Sequence, residues 1–225
     1  MPNLQNRALP LTVFLASASP RRQDLLRQVG VDFELLAPLP GEDSEALEVA
    51  LPGELPADYV QRVTRLKLEA ARHRLALRHP DVPPETAVLL CADTTVALET
   101  AMFGKPESAD DAARILRALS GKTHLVLTAV CLQRGAAQFD VLHTAQVRFA
   151  TLSPQDIAAY IASGEPFGKA GAYAMQGRGA AFVEHISGSP SGIIGLPLFE
   201  TLRLLRAAGW QSDAQQPSQQ QSSRP

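Results

Sequence analysis

From Thr12 onward, short aliphatic and β-branched runs alternate with longer segments in which apolar residues recur at helical spacing, a pattern that predicts an α/β domain rather than an all-β or all-α one. Thr12 to Ala16 reads as a buried strand running into Ser19-Pro20-Arg21-Arg22, a helix start with Ser19 at the N-cap and Pro20 at the first helical position. Leu25, Leu26 and Val29 form the apolar face of this helix, which stops at Gly30. Asp32 to Leu36 resembles a strand, and Ala37 to Pro56, rich in Pro, Gly and Glu, reads as a long surface loop of the kind that often carries function. A charged helix follows over Ala57 to about Leu77, and then an apolar strand, Ala87 to Ala92 and Thr94 to Leu98, interrupted by Asp93. Ser108 opens a helix as a capping box, with Ile115, Leu116 and Leu119 toward the core and Ser120-Gly121 at its end. His124 to Gln133 and Gln138 to Phe149, joined by Arg134-Gly135-Ala136-Ala137, predict an antiparallel hairpin. Ser153-Pro154 caps a short helix ending at Gly164, a strand is expected near Ala181 to Ile186, and a last helix spans Leu198 to Ala207 with Gly209 as its C-cap.

The 225 residues, at roughly 150 per domain, allow one large domain or two closely joined lobes. The pattern divides into a flexible N-terminus (1–10), a folded unit (11–210) and a Gln/Ser/Pro-rich tail (211–225). From Ser212 on, the tail has no apolar side chain larger than Ala to offset the entropy of ordering, and is expected to be disordered. Twenty-one Lys and Arg against 23 Asp and Glu give a net charge of −2, so no global positive field exists to hold a nucleic-acid backbone. One Trp, three Tyr and eight Phe also argue against a stacking platform. Cys91 and Cys131 lie in apolar runs and read as small buried hydrophobes. No N-terminal stretch pairs a basic head with an apolar run long enough for export, and no segment approaches the roughly 18 apolar residues that span a bilayer, so a cytoplasmic protein without membrane contact is expected.

The strongest chemical signal is Ser17-Ala18-Ser19-Pro20-Arg21-Arg22, where a strand meets a helix N-terminus carrying two hydroxyls and two guanidiniums. Free N–H groups, the positive end of the helix dipole and Arg donors together suit a phosphate. The plainer alternative is a capped helix with two solvated arginines, but Arg is poorly placed at that end of a dipole without an anion. Asp93, at the end of an apolar strand, suits a proton acceptor or a divalent-ion ligand; its alternative is an Asx turn. Glu42, Asp43, Glu45 and Glu48 form an acidic run that by itself reads as solvated charge. Lys67, Lys105 and Lys169 are point charges that a polyphosphate could use. Gly121-Lys122-Thr123 resembles the end of a Walker A loop, but Leu116 stands where Gly is needed. The histidines and cysteines lack zinc-like spacing, and Pro190 stands where a nucleophile elbow needs Ser.

Six separated segments in order, Ala16-Ser17-Ala18-Ser19-Pro20-Arg21-Arg22, Ala92-Asp93-Thr94, Gly104-Lys105-Pro106, Leu119-Ser120-Gly121-Lys122-Thr123-His124, Lys169 to Gly177 and Gly195-Leu196-Pro197-Leu198, make the chain resemble the Maf-family nucleoside triphosphate pyrophosphatases. The resemblance implies an inosine-triphosphatase-like mixed sheet with flanking helices, two lobes around a deep cleft, and a homodimer. It also implies hydrolysis of a nucleoside triphosphate to the monophosphate and pyrophosphate with a divalent cation, Mg²⁺ or Mn²⁺. By position, Asp93 matches the general base; Ser17, Arg21, Arg22, Lys67 and Lys105 match substrate-binding residues; Glu42, through a loosely aligned loop, matches a metal-associated acid beside Asp93. Arg21, Thr94 and Gln176 match specificity positions, and Thr94 with Ala172-Tyr173 and Gln176 resembles the branch acting on dTTP and UTP. The sequence departs from the family pattern at Gly168 (usually Asp), Gly192 (often Asn) and Thr64 (usually Ala), the last expected on a helix surface. The same residues would also serve a non-catalytic nucleotide sensor linked to cell-division arrest, or a pyrophosphatase for modified nucleotides such as 7-methyl-GTP.

Overall fold

Strand β1 (Thr12–Leu15) buries three of its four side chains and pairs in parallel with both β2 (Glu34–Leu35) and β3 (Ala87–Leu98). The computed structural model describes residues 11–42 and 46–211; the expectations for the N-terminus, for the tail from 212 on and for Asp43 and Glu45 lie outside these residues. Between β1 and β2 runs helix α1 (Pro20–Gln28), and between β2 and β3 the long helix α2 (Pro56–Arg78). The remaining pairs are antiparallel: β3 with β4 (Ala101–Phe103) and β5 (Thr123–Arg134), β5 with β6 (Ala137–Phe149), and β6 with β7 (Val183–Ser187). The result is a seven-stranded mixed sheet of order β2-β1-β3-β5-β6-β7, with β4 on the free edge of β3. Helices α3 (Ala109–Leu119), α4 (Pro154–Ala162), α5 (Pro190–Ile194) and α6 (Leu198–Ala207) complete the fold.

Period-two alternation explains how an apolar run serves two layers. Val13, Leu15, Val88, Leu90 and Ala92 pack with Leu25 and Leu26 of α1 and Leu204 and Leu205 of α6. Their sequence neighbours Phe14, Ala16, Leu89 and Cys91 pack with Leu68 and Ala71 of α2. A further cluster gathers α3, α4 and the distal ends of β5 and β6 around Phe149, Ile115, Leu119 and Tyr173. Cys91 and Cys131, forty residues apart, are register partners on β3 and β5, both free and buried. Burial pushes the Cys91 thiol up to about 12, so it is inert at neutral pH.

Three local expectations are corrected. Asp93 does not interrupt its strand: β3 runs unbroken for 12 residues, and Asp93 pairs with Ala129 in the ladder, because one polar side chain at the sheet edge leaves the backbone hydrogen bonds intact. Ser19 sits at the N-cap of α1 in extended conformation, but its side chain makes no capping bond; Ser17 Oγ accepts the Ser19 N–H instead, at 3.2 Å. Thr64 is fully buried rather than on a helix surface, and is tolerated because its hydroxyl donates to the Val60 carbonyl one turn back, at 2.6 Å.

Candidate active site

The site lies where β3 loses its neighbour. β1 pairs with β3 only as far as Leu90, and β4 joins the same edge only from Val96, so the stretch between them is open on that side. Open α/β sheets bind ligands beyond the carboxyl ends of parallel strands, and here β1 turns at that point into the N-terminus of α1. A cavity of about 840 Å³ fills the gap. Ser17, Arg21, Arg22, Lys67, Asp93, Thr94, Lys105 and Gln176 all line it, so the structure gathers every sequence-predicted site residue except Glu42.

Alternation divides Asp93 from Thr94. Asp93 follows the parity of Leu89 and Cys91 and faces α2, where Lys67 Nζ donates to its Oδ1 at 2.6 Å. The same ammonium donates to Glu48 Oε1 at 2.7 Å, and Lys105 reaches Glu48 Oε2 at 3.3 Å. Burial alone would raise the Glu48 carboxyl, but Lys67 and Lys105 outweigh it and hold it below the usual carboxylate range. Thr94 faces the opposite side, toward α1, where its Oγ1 accepts from Arg22 Nη2 at 3.3 Å.

Arg22 is held by neutral acceptors. Its Nε donates to the Gly195 carbonyl at 2.8 Å and its Nη1 to Ser17 Oγ at 3.1 Å. Burial lowers the Arg22 pKa, Arg21 adds to the effect, and Asp93 and Glu48 oppose it. Ser17 Oγ accepts from both Ser19 N and Arg22, so its own proton is free to donate into the cavity. Burial also lowers Arg21, whose Nε is buried without a hydrogen-bond partner. A buried guanidinium N–H without an acceptor is costly, and its placement on the cavity wall suits an anionic ligand.

Glu42 stands apart from this group. Its Oε2 accepts the Leu39 N–H at 3.0 Å and lies 3.2 Å from Nε of the buried Arg74, an arrangement that ties the loop to α2. Among the described residues of the loop, Glu48 is the acid that comes beside Asp93, carried by a single 3-10 turn (Ala46–Glu48) and fixed by Tyr59, whose hydroxyl donates to the Glu48 carbonyl at 2.8 Å. Glu42, expected beside Asp93, thus lies by Arg74, and Glu48 shares Lys67 with Asp93. A loop offers no period by which to choose among four acids. Glu165 was also missed: it lines the cavity and accepts from Tyr160 Oη, Arg178 N and Gly179 N, fixing the turn after Gln176.

The departures from the family pattern have structural readings. Gly168 lines the cavity with φ +72°, and a Cβ there would meet open space, so no carboxylate is contributed from that position. At Gly192 a Cβ would overlap His143 Cδ2, so the imidazole occupies the room a larger residue would need. Among the described residues no group of three or more His, Cys, Asp and Glu converges as a metal site. Two carboxylates, Asp93 and Glu48, do converge on the one Lys67 ammonium. That donor set fits Mg²⁺ or Mn²⁺, which use one or two carboxylates together with substrate phosphates.

A mixed sheet whose open edge presents cations, a free hydroxyl and two carboxylates to one cavity defines an α/β protein built to hold a polyanion. The chain belongs to the Maf-like protein family, whose model matches residues 12–208. It is 57% identical over 197 residues to a dTTP/UTP pyrophosphatase of a Polaromonas species, covering 88% of this chain and 96% of that protein. It is 54% identical over 210 residues to the dTTP/UTP pyrophosphatase of Burkholderia lata (92% and 98% covered). With that of Ralstonia nicotianae the identity is 58% over 197 residues (87% and 93% covered).

Proposed function

We propose that this chain hydrolyses dTTP and UTP to the nucleoside monophosphate and pyrophosphate. The observation that carries the reading is the placement of Asp93, at the open edge of β3, in the same cavity as Arg21, Arg22, Lys67 and Lys105; the names of the similar proteins supply the substrate class. Arg21, Arg22, Lys67 and Lys105 neutralise the triphosphate, and Ser17 donates to a phosphate oxygen with the proton its other contacts leave free. Asp93 accepts a proton from water as the water oxygen bonds to phosphorus and the bridging P–O bond between the α- and β-phosphates breaks, releasing pyrophosphate. Asp93 and Glu48 would hold a divalent cation, which supplies charge neutralisation of the phosphates when bound. Gln176 offers an amide donor and acceptor to the imide edge of uracil or thymine, with Arg21 and Thr94 as further specificity positions. The folded unit, residues 11–210, is proposed to act as a homodimer on a free nucleotide, without nucleic acid and in the cytoplasm; among the described residues no helix is long and apolar enough to cross a membrane.

The test is pyrophosphate release from a panel of dTTP, UTP, CTP, GTP, 7-methyl-GTP and ITP with Mg²⁺, beside the Asp93→Asn variant. Turnover of dTTP and UTP is expected, falling by about 10²- to 10⁴-fold in Asp93→Asn with the fold intact. Near-normal turnover in the variant would remove Asp93 as the base, and tight binding without turnover by the native chain would make this a nucleotide sensor.

A further inference from the structure

Behind Thr94 lies a hydroxyl that does not line the cavity. Thr128 is the register partner of Thr94 on β5 and is fully buried. Its Oγ1 donates to the Gly192 carbonyl at 2.8 Å and lies 2.9 Å from Thr94 Oγ1. A threonine hydroxyl has one proton. Since Thr128 gives its proton to Gly192, it is the acceptor in the contact with Thr94, and Thr94 is the donor. The Thr94 proton is thereby used, and toward Arg22 Nη2 the Thr94 oxygen acts only as an acceptor. This direction is the one Arg22 requires, because a guanidinium only donates.

Both ends of the chain of bonds belong to one segment. Gly192 and Gly195 frame the end of α5: the Gly195 carbonyl accepts directly from Arg22 Nε, while the Gly192 carbonyl acts through Thr128 and Thr94 on Arg22 Nη2. The segment is fixed from outside by His143, whose Nε2 accepts the Ser189 N–H at 3.2 Å. That nitrogen therefore carries no proton, so Nδ1 is the protonated one and donates to Glu200 Oε1 at 3.0 Å.

We propose that Thr128 is a positioning residue for Arg22: it sets the direction of the Thr94 hydroxyl and ties the phosphate-facing guanidinium to the 189–195 segment. The inference rests on the reading of Arg22 as a triphosphate ligand. It also makes Thr94 a partner of Arg22 and not a donor to the nucleotide base, so its influence on substrate passes through the guanidinium.

The experiment uses the full chain with Mg²⁺ and dTTP, with Thr128→Val, Thr128→Ala and Thr128→Ser compared by steady-state kinetics and by binding of a non-hydrolysable dTTP analogue. Val keeps the shape and removes the hydroxyl, while Ala and Ser differ from each other only by the hydroxyl. Thr128→Val and Thr128→Ala should raise KM and weaken analogue binding by up to about tenfold, the upper end of what one neutral hydrogen bond contributes, and change kcat much less. Thr128→Ser should remain within about twofold of the native chain. Because Thr128 acts through Thr94, adding Thr128→Val to Thr94→Val should cost nothing further, whereas a general packing defect would add. Should Thr128→Val fail to fold, the Ala and Ser pair decides alone. Equal behaviour of Ala and Ser, or additive losses in the double variant, would overturn the proposal. A native chain that binds the analogue but turns over no nucleotide would instead sink the hydrolytic reading, and the binding arm would still test Thr128.

Discussion

Asp93 and Thr94 are neighbours in sequence, yet strand alternation sends one to Lys67 and Glu48 and the other to Arg22. The two acidic candidates of the preceding loop are separated just as sharply. Glu48→Gln should lower turnover and raise the Mg²⁺ concentration needed for half-maximal rate, each by roughly 10- to 100-fold. Glu42→Gln should keep turnover within about threefold but cost about 1–3 kcal/mol of stability, because the buried Arg74 loses its charged partner. Metal titrations and denaturant melts on both variants check this, and the opposite pattern would return the metal-associated role to Glu42. His124 offers a pH prediction. It is buried, Nε2 meets Tyr173 Oη at 3.0 Å, and burial pushes its pKa down from 6.5 to about 4. Between pH 6.5 and 4 the unfolded chain binds a proton there that the folded chain refuses, so the contribution of His124 to stability is full above pH 6.5 and is lost as the pH drops to about 4. The full effect is about 3 kcal/mol, and it should be absent from the pH dependence of unfolding of His124→Phe. Asp93 was legible because a lone carboxylate inside an apolar strand is conspicuous; Glu48 was not, because four acids in a loop differ only in where the chain folds them.

Among the elements, helix starts show how far a local signature reaches. Ser153 and Asp156 form a complete capping box at α4, with Asp156 N donating to Ser153 Oγ at 3.1 Å and Ser153 N donating to Asp156 Oδ2 at 3.1 Å. Ser108 caps α3 by accepting from Asp111 N, but Asp111 turns back to Glu107 N rather than to Ser108, so only half of the box expected from the sequence forms. Ser19 makes no side-chain cap at all. Ser153→Ala should therefore cost about 1 kcal/mol in denaturant unfolding, whereas Ser19→Ala should stay within about 0.5 kcal/mol. Equal losses would show that the α1 cap is structural after all. The helices other than α5, and the β5–β6 hairpin, follow from periodicity and turn residues. The continuity of β3 through Asp93 does not, because strand pairing with β5 is a non-local interaction that overrides one unfavourable residue.

For the whole molecule, the ligand should act as a stabiliser. The cavity holds Arg21 with an unpartnered buried Nε, and Arg22 close to it, so a bound anion would supply the acceptor that Arg21 lacks. A non-hydrolysable dTTP analogue at about 100 times its Kd should add about 2.7 kcal/mol, raising Tm by roughly 5–11 °C in a chain of this size. Inorganic sulfate at equal concentration should do much less, since it spans fewer of the cations; an equal shift would mean the cavity reads only charge.

Local patterning carried the α/β class, the helices other than α5, the hairpin and the family, because periodicity, capping and contiguous motifs are local properties of a chain. Tertiary structure alone decided which acid joins Asp93, that Cys91 and Cys131 lie opposite each other, and that Thr128 stands behind Thr94. It also decided that β3 is left open between Leu90 and Val96. Each of these depends on strand register and on a loop's path across the sheet, which bring together residues that no spacing in the sequence relates.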